Sequence, residues 1–324
     1  MTFKTATLRE RLEVLTPVFD GFPIFVSDSE MILRFLRSEQ CTAYSFEEVS
    51  ELDSTERRNV FLIATDDDSM PSYKKPHDMF GNSRALMLPL LSFDPSIEAS
   101  KYTLSLIAQS DFDAATKLNS VWMEKLLYDD RTFVLHGHGS EATCKIEDDV
   151  VVMAPKTTVQ LLPGEWDTIG PYFEVGMVPP PDDIRPAFIV NGVLTVPGTA
   201  VAHHRQMPKE LVPLTYRTRE LFQELRKEGR FPLEMHIENS RVTRVLAGDI
   251  DISAYLLNFT NPRRDLVLTE MTFSTNKGVS SREIDWTKNS QMNEGAIGIH
   301  VGLGDGLTGA HIDFICPDVE TILQ

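Results

Sequence analysis

Apolar positions in the first 130 residues alternate between short consecutive runs and longer stretches with helical spacing. Ile24, Phe25 and Val26 form one run, and Ser27 or Asp28 behind it can cap a helix carried by Met31, Ile32, Phe35 and Leu36. Val60 to Ala64 is a second run, closed by the acidic turn Asp66, Asp67 and Asp68, and Ala85 to Leu91 is a third. Ile97 to Ala108 and Ala114 to Leu127 space their apolar residues as helices do. Strands alternating with helices predict a small parallel α/β sheet over residues 1–130.

From residue 131 the pattern changes. Thr132 to His136, Ala142 to Ile146, Val150 to Met153, Phe188 to Val190, Val193 to Val196, Met235 to Ile237, Val242 to Leu246 and Leu266 to Met271 are short β-rich runs separated by Gly, Pro, Asn or Asp. Only Tyr216 to Lys227 reads as a helix in this half, and Pro179, Pro180 and Pro181 mark a loop. The expected architecture is therefore α/β: a small N-terminal domain over 1–130, followed by a β-rich barrel or sandwich over 131–324. The site is expected in the groove between them.

Composition narrows the function classes. With 48 acidic against 31 basic side chains the formal charge is −17, a surface that repels phosphate backbones and anionic headgroups, so neither nucleic acid nor membrane is an expected partner. No run of apolar residues is long enough to span a bilayer, and charges interrupt the apolar stretches of the N-terminus. Cys41, Cys144 and Cys316 lie more than a hundred residues apart without a CxxC pair, which suits a reducing compartment and a cytoplasmic location. No GxGxxG or GxxxxGK[ST] loop follows any strand run.

Candidate chemistry concentrates in residues 293–317, NEGAIGIHVGLGDGLTGAHIDFICP. His311 and Asp313 are two apart, so on a strand they share a face and can reach one cation. His300 lies upstream across Gly302, Gly304, Gly306 and Gly309, a stretch free enough to double back and bring the imidazoles together. Glu294 adds a carboxylate. Two His with one carboxylate suit zinc, manganese, cobalt or non-haem iron; hydrogen-bonded strand histidines on a glycine hairpin are the alternative. His136 and His138 have the same-face spacing without a nearby carboxylate, and His203 and His204 are expected at the surface.

GIHVGLGDG followed by GAHIDFI resembles the C-terminal metal motif of the aminopeptidase T and S group of metalloaminopeptidases. LVLTEMTFSTN, residues 266–276, is similar to that family's glutamate-bearing strand, and GPYFEVGMVPP before FIVNGVLTV to the segment carrying another glutamate. MHIENSRVTRVLAGD, residues 235–249, matches the strand-turn-strand between them, so the resemblance spans about residues 130–317 in order. It implies Glu174, Glu270, His300, His311 and Asp313 as ligands of one or two divalent ions (zinc, cobalt, manganese or iron). Glu294 is a general base or further ligand in the same reading. The implied function is a metal-dependent hydrolase that directs an activated water at an amide of a peptide or small molecule, in a homodimer. Leu307 stands where the family carries a tyrosine, which sets the metal ligands apart from peptidase activity. The same fold includes 2,5-dihydroxypyridine ring-opening dioxygenases, which hold one iron through two His and an Asp. Two alternatives follow: a mononuclear iron dioxygenase or tailoring enzyme, and a catalytically degenerate peptide- or ligand-binding homologue in a biosynthetic pathway.

Overall fold

The computed structural model describes residues 6–66, 80–128, 132–180, 185–261, 263 and 265–323. Among them, the N-terminal runs form a five-stranded parallel sheet in the order Ala43–Tyr44, Ile24–Ser27, Asn59–Ala64, Arg84–Pro89, Trp166–Thr168. Its strands are apolar on both faces because both are covered. Phe25, Phe61 and Leu86 pack on one side with Leu33, Leu36 and Leu104 from helices Glu30–Ser38 and Ile97–Ile107, while Val26, Val60 and Leu62 enter a separate core on the other. Ser29 takes the N-cap position of the first of these helices, and the Ser27 hydroxyl accepts the Ser29 N–H. Of the acidic turn, Asp67 and Asp68 lie outside the described residues; Asp66 donates its N–H to Asp28.

The β-rich half is two antiparallel sheets face to face. A seven-stranded sheet runs Ile250–Asp251, Arg241–Ala247, Leu233–Glu238, Phe188–Val196, Ser140–Ile146, Thr132–Gly137, Glu320–Leu323. A six-stranded sheet runs Gly198–Ala202, His311–Pro317, Gly298–Leu303, Leu268–Ser274, Glu174–Val178, Val151–Val152. One continuous apolar core takes side chains from both sheets, including Phe133, Val190, Met235, Phe273, Val301 and Phe314. The mixed α/β class expected from the sequence is the class observed. Phe188 to Val196 is one strand rather than two runs, because Gly192, at φ 131°, lets the chain pass Ala142 closely without breaking the ladder. A short helix, Ser253–Phe259, joins Val212–Lys227 in this half.

Two connections tie the parallel sheet to the sandwich. Trp166–Thr168 lies well past residue 130 yet pairs with Arg84–Pro89, with Ala85 opposite Trp166. Asn119, fully buried on helix Phe112–Tyr128, donates through Nδ2 to the carbonyls of Lys156, Pro171 and Tyr172 and accepts the Thr275 hydroxyl through Oδ1. Among the described residues no helix is long and apolar enough to cross a membrane.

Candidate metal centre

Strand register places the predicted residues together. Glu270 lies opposite Gly302, which lies opposite Asp313; Thr272 lies opposite His300, and Ser274 opposite Glu174. Cross-strand partners share a sheet face and residues two apart on a strand share it too. Glu174, Glu270, His300, His311 and Asp313 therefore project from one face of the six-stranded sheet. The glycine-rich hairpin between Gly298–Leu303 and His311–Pro317 folds back as the spacing predicts, with Gly304 and Gly306 at φ 82° and 67°.

The distances are short. His300 Nε2 stands 3.4 Å from Glu270 Oε1, and His311 Nε2 stands 3.4 Å from Glu270 Oε2 and 2.9 Å from Asp313 Oδ1. One ligand atom from each of Glu270, His311 and Asp313 lies within 4.8 Å of the other two. Glu294 follows the turn Gln291–Asn293, is buried, and interacts electrostatically with Asp313, Glu174, His311 and Glu270.

Neighbouring polar groups orient these side chains. The Gly304 carbonyl can only accept, so His311 Nδ1, 3.0 Å away, carries a proton and Nε2 faces the carboxylates. Thr272 donates to Glu270 Oε1 at 2.6 Å. Ser274 spends its hydroxyl proton on the Glu294 carbonyl and lies 3.3 Å from His300 Nδ1, so it accepts from that nitrogen and turns His300 Nε2 toward Glu270.

Burial and mutual charge set the protonation of the cluster. Burial alone would lower the pKa of both histidines, but the surrounding carboxylates outweigh it. His300 rises to about 8 through Glu270 and Asp313, and His311 rises well above its ordinary value through Asp313 and Glu270. Glu174 is pushed up to about 7, first by burial and then by Glu270 and Asp313. Glu294 is raised well above the usual carboxylate range by burial and by Asp313 and Glu174. Glu270 goes the other way: burial would raise it, but the two imidazoles hold it well below the usual range.

A family model for the crocagin biosynthetic protein CgnE/B matches residues 20–324, nearly the whole chain. The chain belongs to the CgnE/B family. No curated protein matches it. Among solved structures, the 2,5-dihydroxypyridine dioxygenase from Pseudomonas putida KT2440 is 13% identical, with a TM-score of 0.50 over 99% of this chain and 94% of its own. AmpT from Thermus thermophilus is 10% identical, with a TM-score of 0.48 over 97% of this chain and 93% of its own. At 13% identity the dioxygenase shows a common fold only. Membership falls to the CgnE/B family rather than to the aminopeptidase T and S group that the motifs resemble.

Three glycines in this CgnE/B-family chain leave the space the cluster occupies. A Cβ at Gly302 would fall 2.8 Å from Glu270 Cβ and 2.8 Å from His311 Cε1. One at Gly176 would fall 3.2 Å from Glu270 Oε1, and one at Gly170 2.6 Å from Glu174 Oε1 and 2.7 Å from Gln291 Nε2. Glu294 Oε1 is buried and has no hydrogen-bond partner. An orphaned carboxylate oxygen beside two imidazoles and three further carboxylates is a donor set that fits a divalent cation.

The other histidines sort differently. His136 and His138 are exposed and stand apart from the cluster. His204 is exposed as expected, but His203 is buried at 7% exposure and lines a cavity that reaches His311. It is buried because its N–H pairs with the Ser92 carbonyl, which draws it under the loop after the parallel strand Arg84–Pro89. Leu307 is 37% exposed and is not among the residues lining that cavity. Thr272 and Ser274 escaped the sequence reading although period-two alternation from Glu270 carries them to the same face. Gln291 had no such signal, because it sits in an irregular turn.

Proposed function

We propose that this CgnE/B-family chain is a metal-dependent hydrolase of a biosynthetic pathway, acting on an amide of a peptide or small molecule. The observation that carries the reading is Glu270, which offers one oxygen to each of two imidazoles, that of the buried His300 and that of the partly buried His311. In this reading Glu174, Glu270, His300, His311 and Asp313 would hold one or two divalent cations. Zinc, cobalt, manganese and iron all suit the donor set. A bound divalent cation there supplies a water of lowered pKa and polarises a carbonyl. The chain's own groups do the remainder: Glu294 takes up a proton on its unpartnered oxygen, Thr272 and Ser274 hold Glu270 and His300 in place, and the buried floor restricts bulk water. In the same proposal two lobes, 1–130 and 131–324, frame the site, and the protein works in the cytoplasm as a homodimer.

A second reading has its own support. The raised pKa values of His300, His311, Glu174 and Glu294 beside the lowered one of Glu270 favour charged imidazoles and neutral glutamates, which lessens the repulsion within the cluster without a cation. Leu307 supplies no phenol. A catalytically degenerate homologue that binds a peptide or small molecule needs nothing more.

Elemental analysis of protein purified without a histidine tag decides between them. The hydrolase reading expects about one or two equivalents of a divalent metal, lost in Glu270→Gln and His311→Ala, together with amide cleavage by the loaded protein. Protein that takes up no metal under saturating zinc, cobalt, manganese or iron leaves the binding reading. One iron with oxygen consumption and no cleavage points to the dioxygenase alternative.

A further inference from the structure

A cavity of about 290 Å³ opens beside the cluster, and of the metal-centre residues His311 alone lines it. Met87, Leu91 and Phe93 give it an apolar wall at the end of strand Arg84–Pro89 and the turn that follows. The C-terminal ends of parallel strands are where open α/β sheets leave room for ligands. His203 belongs to that same wall, because its backbone N–H bonds the carbonyl of Ser92, between Leu91 and Phe93. Gln291 enters from the turn that leads to Glu294.

Two of these side chains hold hydrogen-bonding capacity that the described residues do not use. His203 Nδ1 and Gln291 Oε1 are both buried, and neither has a partner. Such atoms are rare in folded proteins, since each gives up its hydration for nothing, and they mark places where a ligand or an ordered water completes the structure. Both groups are uncharged: burial, then Arg219 and His204, lower the His203 pKa, and an amide carries no charge. Arg205 and Asp305 also line the cavity, but both already interact within the chain, Asp305 with the Leu307 and Thr308 N–H groups.

The two free atoms complement each other. Gln291 Oε1 can only accept. Its Nε2 lies toward Glu174: a Cβ at Gly170 would fall 2.7 Å from this nitrogen and 2.6 Å from Glu174 Oε1, so the amide reaches from the cavity to the cluster with its nitrogen on the carboxylate side. His203 Nδ1 is bound to no acceptor or donor that would fix its tautomer, so the neutral ring can place its proton there. One acceptor and one neutral donor beside an apolar wall are the complement of an amide group on an apolar body.

We infer that His203 and Gln291 orient an uncharged amide ligand in this cavity, with its N–H on Gln291 Oε1, its carbonyl on the His203 Nδ1 proton and its apolar part against Met87, Leu91 and Phe93. As determinants of substrate they rest on the hydrolase reading, since they then fix how an amide meets the cluster beside His311; as binding residues they stand without it.

The test is calorimetric titration with hydrocinnamamide, its N,N-dimethyl derivative and hydrocinnamate, on protein stripped by chelator and on protein loaded with zinc. The inference expects hydrocinnamamide to bind about tenfold more tightly than either of the others in both states. Gln291→Leu should abolish the preference over the dimethylamide, which has no N–H to donate; circular dichroism checks that the variant folds. Hydrocinnamamide should also slow exchange of the His203 ring proton, giving an imidazole N–H resonance in NMR that His203→Phe lacks. Equal affinity for the three probes, no binding by any of them, a preference that survives Gln291→Leu in a folded variant, or no ligand-dependent His203 resonance would each overturn it. No binding would mean that ordered water alone completes these atoms. A preference confined to zinc-loaded protein would also overturn it, because the amide would then be held by the metal rather than by His203 and Gln291. A preference that persists in protein unable to take up metal upholds the site and removes only the hydrolase reading.

Discussion

Gly302 lies directly across the ladder from Glu270, and a Cβ at position 302 would stand 2.8 Å from the Glu270 Cβ. Real Cβ atoms do not approach so closely, so the residue opposite Glu270 must be glycine for that carboxylate to hold its place between His300 and His311. Gly302→Ala is expected to shift Glu270 and the His311 ring, which the new methyl would also meet. Overpacking of this kind costs about 1–3 kcal/mol. The expected outcome is a folded protein with lowered thermal stability and at least about a tenfold loss of zinc affinity. Competition titration against a fluorescent chelator measures it; unchanged affinity would show that the ring and carboxylate have room to spare.

In the proposed metal-dependent reading, proton competition sets the pH dependence of metal uptake. Without metal, His300 titrates at about 8, Glu174 at about 7, and His311 and Glu294 well above their ordinary values. A cation needs these ligands deprotonated. Affinity should therefore rise steadily from about pH 6 to about pH 8.5, with protons released on binding, measured by calorimetry in buffers of different ionisation enthalpy. The metal-free protein should show the linked stability effect. A histidine whose pKa is raised on folding stabilises fully below its unfolded value, and that contribution is lost as pH rises through the folded value. The melting temperature of stripped protein should fall as pH passes about 8, and zinc should suppress the fall.

Much of the cluster was legible because sheets are periodic. His311 and Asp313 declared a shared face by their spacing, and the glycines around 302–309 declared a return of the chain, so the hairpin followed from local rules. Glu270 and Glu174 were different: nothing local distinguishes them from other strand glutamates, and only the order of the family-like motifs singled them out. His203 was misplaced at the surface because its burial depends on Ser92, more than a hundred residues away. The contribution of Trp166–Thr168 to the parallel sheet was invisible for the same reason. A three-residue strand has no period of its own, and its partner Arg84–Pro89 is far off in sequence.

Asn119 offers a sharper test of how the two parts of the chain hold together. Its amide satisfies three carbonyls at 2.8–3.1 Å and its oxygen accepts Thr275, next to the strand that carries Glu270. Asn119→Ala removes the amide partner of these buried groups, although the Pro171 carbonyl keeps the Lys156 N–H, and should cost about 2–4 kcal/mol in chemical denaturation. Asn119→Asp should be worse than alanine, because it aims an acceptor at three acceptors. If aspartate were tolerated better than alanine, the assigned amide orientation would be wrong.

Arg219 and Asp94 tie the segment Phe93–Asp94 to helix Val212–Lys227. The guanidinium donates to the Phe93 carbonyl at 2.7 Å and to Asp94 Oδ2 at 2.5 Å, with 13% and 20% of the two side chains exposed. A pair this sheltered is screened little by salt, and removing one partner strands the other charge; the expected cost is about 1–3 kcal/mol for Arg219→Met or Asp94→Asn. The double variant should be more stable than the sum of the single losses implies, giving a coupling energy of about 1 kcal/mol or more. Arg219 also lies close enough to His203 to depress its pKa, after burial, which is the larger cause. Arg219→Met should therefore raise the His203 pKa part of the way back toward its ordinary value, followed by imidazole proton shifts in NMR titration. Additive losses in denaturation would show that the ion pair carries no specific stability. A His203 titration unmoved by Arg219→Met would show that burial alone keeps the ring neutral.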